Sequence, residues 1–172
     1  MPAIYTRPGT QADVAAIMGI IADARAFLKA QGINQWQGTY PDVAAVQADI
    51  AAGTNRLLLV DGVVAGTASL LTGPDPFYAR IDGAGWWPSV GYMMIHRFAV
   101  SATIRGQHLS RFFMSNLLSE AHARGARDVR IDTHAQNKIM QAVITGDGFT
   151  YRGIVYLDEP VPERNAYQLL MD

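Results

Sequence analysis

Four histidines and one glycine-bearing loop hold most of the chemistry this chain offers. His96 lies in the stretch 90–100, VGYMMIHRFAV, where Tyr92, Met94, His96, Phe98 and Val100 alternate with Met93, Ile95, Arg97 and Ala99. Alternate residues of a strand share one side. An imidazole with an ordinary pKa of about 6.5 can take a proton near neutral pH, directly or through water. His96 therefore reads as a general base, or as a core histidine bonded to a carbonyl or to Tyr92. His134 stands two residues after Asp132 and offers a second acid–base group, or a local pair with Asp132 near a strand end. His122, beside Arg124 on a helical stretch, reads as solvated.

The loop is Arg105-Gly106-Gln107-His108-Leu109-Ser110. It opens a helix in which Leu109, Phe113, Leu117 and Ala121 recur every four residues, with Met114 and Leu118 beside them. The first amides of a helix have no partner within it, and with the helix dipole they attract phosphate. The plainer reading is a helix-start loop with a surface Arg. A kinase-type phosphate loop is disfavoured, because no Lys-Ser or Lys-Thr pair follows the glycine. With no Cys in the chain, disulfides, thiolate nucleophiles and Cys-based metal sites are excluded.

The elements that must position these groups follow from the pattern around them. The 172 residues fit one domain over 1–172, and 49% hydrophobic with 17% charged residues describes an ordinary globular chain. The net charge of −1 gives no argument for nucleic acid or an anionic membrane. Without a signal pattern or a membrane-length apolar run, a cytoplasmic location is expected. Ala3-Ile4-Tyr5 predicts a first strand. Thr10 to Asp13 resembles a capping box, and Val14, Ile17, Met18, Ile21 and Leu28 predict a helix to about Ala30, ended by Gly32. A second helix starts at Pro41 or Asp42 with Val43, Val46 and Ile50 inward, and stops at Gly53. Residues 56–71 predict a hairpin turning at Asp61-Gly62. Residues 127–133 predict a strand, 138–145 a short helix, and 149–157 and 167–171 the last strands.

The strand ending Phe98-Ala99-Val100, followed by Arg105 to Ser110, resembles the central motif of the GNAT superfamily of N-acetyltransferases. Arg105 fills the first place of that motif, whereas His108 stands where the family has Gly, and Ser110 where it has Gly or Ala. Asn137 followed by Gly148-Phe149 matches a second family segment, and the element order matches over the whole chain. Residues 131–140 together with Trp36, Tyr40 and Pro41 resemble a bacterial branch of the superfamily.

The resemblance implies an α/β (α+β) GNAT fold. Its central sheet is mixed and mostly antiparallel, with about six to seven strands and about four helices, and is splayed between the fourth and fifth strands. It implies acetyl-CoA as cofactor and transfer of its acetyl group to a primary amine of a small molecule or peptide. The Phe98 and Val100 backbone would hold the pantetheine arm, and Arg105, Gly106, Gln107, His108, Leu109 and Ser110 the diphosphate. Asn137 would reach the pantetheine, and Trp36, Tyr40 and Tyr78 would wall the acceptor site. Many members protonate the departing thiolate with a tyrosine seven residues after the Asn. That position here is Ile144, so solvent, Tyr151 or His134 must supply the proton. The alternative is a catalytically silent module of the same fold that binds CoA or a metabolite. Self-association into a homodimer stays open.

Overall fold

The computed structural model of the chain describes residues 1–104 and 108–172. Its strands are β1 (Ile4–Pro8), β2 (Asn55–Val60), β3 (Val63–Thr72), β4 (Asp82–Gly83), β5 (Met93–Val100), β6 (Asp128–Thr133), β7 (Thr150–Tyr156) and β8 (Glu163–Leu170). They form one open sheet in the order β1-β2-β3-β5-β6-β8-β7-β4. Of the described pairings only β5 with β6 is parallel. Among the described residues four α-helices accompany it: α1 (Val14–Ala30), α2 (Val43–Ala51), α3 (Leu109–Ala123) and α4 (Lys138–Gly146). The sheet exceeds the expected six to seven strands because Asp82 and Gly83 pair with Ile154 and Gly153. Two residues are too few to show any alternation. The expected fourth and fifth strands are therefore β5 and β6.

The chain builds two compact units, each from two segments: Met1–Leu70 with Arg97–Asn116, and Leu71–His96 with Leu117–Asp172. In the first, Ile17 and Ile21 of α1 and Val46 of α2 bury against Leu57 and Leu59 of β2. Truncating one such side chain to Ala costs about 2–5 kcal/mol. The Asp13 carboxylate accepts from the Thr10 amide and hydroxyl and from both terminal nitrogens of Arg7. The bonds from Arg7 hold Asp13 far below the usual carboxylate range. Asp42 caps α2 by accepting the Ala45 amide at 2.8 Å. Val43, expected inward, is exposed, while the charged Asp49 is buried.

In the second unit Tyr78, Met94, Val155 and Ala166 form the core, with Trp86 and Tyr92 packed on it. The β8 strand begins at Glu163, four residues before the expected Tyr167. The charged run there reads as turn in sequence. Arg164 is nevertheless buried, its guanidinium held by the Val161 and Glu163 carbonyls and by Glu159.

Candidate active site

β5 carries the irregularity on which the site is built. Its ladder with β6 runs from Met93↔Val129 through Ile95↔Ile131, whereas β5 itself continues to Val100. Arg97 then takes φ of 52°, a left-handed conformation that costs a non-glycine residue about 1–3 kcal/mol. This breaks the strict alternation expected from sequence. His96 packs at a tilt against Tyr78 with ring centroids 5.8 Å apart, Arg97 turns to Asp49, and Phe98 packs at a tilt against Phe113 at 5.3 Å.

Within the second unit His96 sits among acids and aromatics. Its Nε2 is buried, makes no hydrogen bond among the described residues, and lies 3.9 Å from Oδ2 of Asp75. Tyr78 is buried and donates its hydroxyl to Asp132 Oδ2 at 2.7 Å. Burial, then the Asp132 charge, pushes that phenol well above its ordinary value, so it stays protonated. Tyr92 does not bond His96. Its hydroxyl accepts the Asp75 amide at 2.9 Å. Gly73 permits this approach, since a Cβ there would lie 2.6 Å from the Tyr92 ring.

Behind these groups Arg130 is stacked between Tyr92 and Trp86, its Cζ 3.8 and 4.4 Å from the ring centres. Its charge is met by the buried Asp128, which also accepts from Ser89 and Gln168. Gln168 in turn holds the Trp87 backbone at both its N–H and its C=O. The loop that sequence leaves without structure is thus anchored on β6 and β8.

His134 is buried at the end of β6 and does not pair with Asp132, which is occupied by Tyr78. Its Nδ1 accepts the Gln136 amide at 3.2 Å, leaving Nε2 buried and unbonded. Burial first, then Arg164, lowers its pKa, so the ring is held neutral. Asn137 caps α4, its Oδ1 accepting the Met140 amide at 3.1 Å. Ile144 is fully buried. Tyr151 is half-exposed on β7, edge-on to Tyr167 at 5.6 Å.

Within the first unit Arg97 reaches Asp49 by two bonds of 2.7 Å, and its third nitrogen bonds the exposed Tyr40 hydroxyl. Ser69 also donates to Asp49. Arg25 binds the carbonyls of Trp36, Thr39 and Pro41, fixing the loop that carries Trp36 and Tyr40. Trp36 itself packs on the α1–α2 core. His108 has φ of 50°, the left-handed conformation for which glycine is suited, and its carbonyl accepts the Phe112 amide at 3.0 Å. Leu109 is buried and Ser110 half-buried at the start of α3. The expected sites at Arg105, Gly106 and Gln107 lie outside the described residues.

Sequence reading missed Asp75, Asp49 and Arg97. Asp49 had a signal: it sits three residues after Val46 on the inward face of α2, where a charge must have a partner. An open groove of about 720 Å³ between Pro88–Gly91 and Arg124–Arg127 is lined by Tyr92 and by none of the residues assigned chemistry.

The family model for the acetyltransferase (GNAT) family matches residues 21–149. The chain belongs to the GNAT family of acetyltransferases. It is similar to a GNAT-family acetyltransferase from Streptococcus agalactiae 2603 at 30% identity and a TM-score of 0.90, covering 98% of this chain and 96% of that one. It shares its fold with yncA of Salmonella typhimurium, solved with its cofactor acetyl-CoA, at 22% identity, TM-score 0.64 and coverage of 99% and 95%. A third fold relative is the Salmonella typhimurium acetyl transferase that modifies the N-terminal serine of ribosomal protein L7/L12, at 18% identity, TM-score 0.69 and coverage of 98% and 95%. A search of curated proteins found no match.

This GNAT protein is an acyltransferase, and acetyl-CoA is its acetyl donor. The residues present fit that donor. Within the second unit two buried polar atoms at the end of β6, Thr133 Oγ1 and His134 Nε2, have no partner among the described residues and are free to bond polar groups of such a donor. Among the described residues no helix is long and apolar enough to cross a membrane, and no cluster of metal-ligating side chains occurs.

Proposed function

We propose that this GNAT enzyme acetylates a primary amine of a small molecule or peptide by direct attack on the thioester, with His96 as general base. The observation that carries this reading is the half-buried imidazole of His96 on β5, whose Nε2 is buried without a partner among the described residues, beside a carboxylate and next to the positive-φ residue Arg97. Acetyl-CoA supplies the activated acetyl group. The Phe98 and Val100 backbone binds its pantetheine arm, and the α3 start, from His108 through Ser110, binds its diphosphate. An ammonium of ordinary pKa about 10 must lose a proton before its nitrogen can attack, and His96 accepts that proton.

Trp36 and Tyr40, on the loop fixed by Arg25, wall the acceptor site, and the buried Tyr78 supports His96 from beneath. His134, neutral and aimed by Gln136, holds a carbonyl of the donor arm. Tyr151 and His134 remain the candidates among side chains for returning a proton to the thiolate.

His96→Ala tests the reading. It should lower turnover about 10²–10⁴-fold across an amine panel, with acetyl-CoA affinity by calorimetry little changed. Unchanged turnover in a folded variant would return His96 to core packing.

A further inference from the structure

The geometry points to Asp75 as the positioning carboxylate of His96: it faces Nε2, leaves Nδ1 as the working base, and balances the charge the imidazole acquires. This inference rests on His96 being the base. Two facts on the Asp75 side support it. Its Oδ1 is already committed, accepting the Phe77 amide at 2.8 Å, and its own amide is tied to the Tyr92 hydroxyl at 2.9 Å. The carboxylate is thus locked at both ends with Oδ2 turned to His96.

The His96 side supplies the complement. Nε2 is buried and unbonded, and the acceptor facing it is that same oxygen at 3.9 Å. A proton on Nε2 therefore points at a negative charge, whereas a lone pair there would face one. The tautomer with Nε2–H is favoured, and the lone pair falls on Nδ1. A separation of 3.9 Å is an ion-pair contact that a shift of about 1 Å closes to a hydrogen bond, and catalytic hydrogen bonds commonly tighten only when substrate is bound.

The other groups facing His96 agree in sign. Tyr78 beneath it stays a neutral phenol, and the Asp132 charge lies behind that phenol. Of the cations on these elements, Arg130 is stacked on Tyr92 and paired with Asp128, and Arg97, next to His96 on β5, is paired with Asp49.

In the reaction Nδ1 accepts one proton from the acceptor's ammonium, giving imidazolium and a free amine. The amine lone pair forms the N–C bond at the thioester carbonyl carbon, the C–S bond breaks, and its electron pair leaves on sulfur. The second nitrogen proton ends on the thiolate, and the imidazolium returns its proton to water. Asp75 stabilises the imidazolium without touching substrate.

Asp75→Asn is the decisive variant, because Asn keeps an oxygen for the Phe77 amide and removes only the charge. In the intact enzyme, ¹⁵N-histidine NMR should show His96 as the Nε2–H tautomer, and Asp75→Asn should shift it toward Nδ1–H. The plateau of kcat/KM for the amine should fall about tenfold or more, with the calorimetric Kd for acetyl-CoA unchanged. Asp75→Glu should restore part of the rate. An unchanged tautomer and plateau in Asp75→Asn, with His96→Ala still inactive, would overturn the positioning role and leave the base intact. If His96→Ala is itself fully active, the base reading fails instead.

Discussion

Arg97 grips Asp49 with two parallel bonds, Nε to Oδ2 and Nη2 to Oδ1, each 2.7 Å. This fork is the preferred geometry between guanidinium and carboxylate, and both side chains are largely buried. It offsets the backbone cost at Arg97 by anchoring the residue on α2.

Removing one partner leaves a buried, uncompensated charge. Asp49→Ala should therefore cost about 3–5 kcal/mol of unfolding free energy in denaturant titration. The double variant Asp49→Leu with Arg97→Met should lose much less. Equal losses in both would show that the pair contributes nothing as a unit.

The second prediction concerns His108, which holds positive φ without being glycine. His108→Gly should raise stability by about 1 kcal/mol, visible as a higher melting temperature, since only the β-carbon is strained there. A lower melting temperature would mean that the imidazole makes a stabilising contact outweighing the strain.

His134 gives a pH dependence. Its folded pKa is depressed, chiefly by burial and then by Arg164, so the fold prefers the neutral ring. The unfolded chain takes up the proton nearer pH 6.5, and stability is lost as pH falls below about that value. His134→Gln should flatten the decline in melting temperature between about pH 7.5 and 5.5. An undiminished decline would assign it to other groups.

Ile144 is the place where a family tyrosine is missing, and restoring the ring there would be useful only if the ring fits. Ile144 is fully buried, so an added ring must displace packed neighbours. Ile144→Tyr should overpack α4, cost about 1–3 kcal/mol, and give no gain in turnover at saturating donor. A faster variant of unchanged stability would restore position 144 as the site of the thiolate acid.

Much of this was legible in the residues. The helical stripe of α1, the Asp61-Gly62 hairpin and the apolar face of α3 each repeat a period that sequence displays. The family resemblance added the fold and the donor. What stayed hidden depends on contacts far apart in the chain. Nothing near Arg97 announces positive φ, because its partner Asp49 is 48 residues away. Asp75 looks like a turn residue between two prolines, and its contact with His96 appears only when the 73–78 turn folds under Tyr92. Tyr78 reads as a loop aromatic and proves to be core.

The two outer strands of the sheet have a consequence for behaviour in concentrated solution. An uncovered strand edge invites a second chain to add its own strand, the first step toward fibrils. Here β4 offers only two residues, and Asp82 among them is engaged by Arg80 and Tyr156. At the other end β1 closes on Pro8, which lacks an amide hydrogen, directly after the charged Arg7. A two-residue strand at one border and Pro8 beside Arg7 at the other both disfavour growth of the sheet by strand addition.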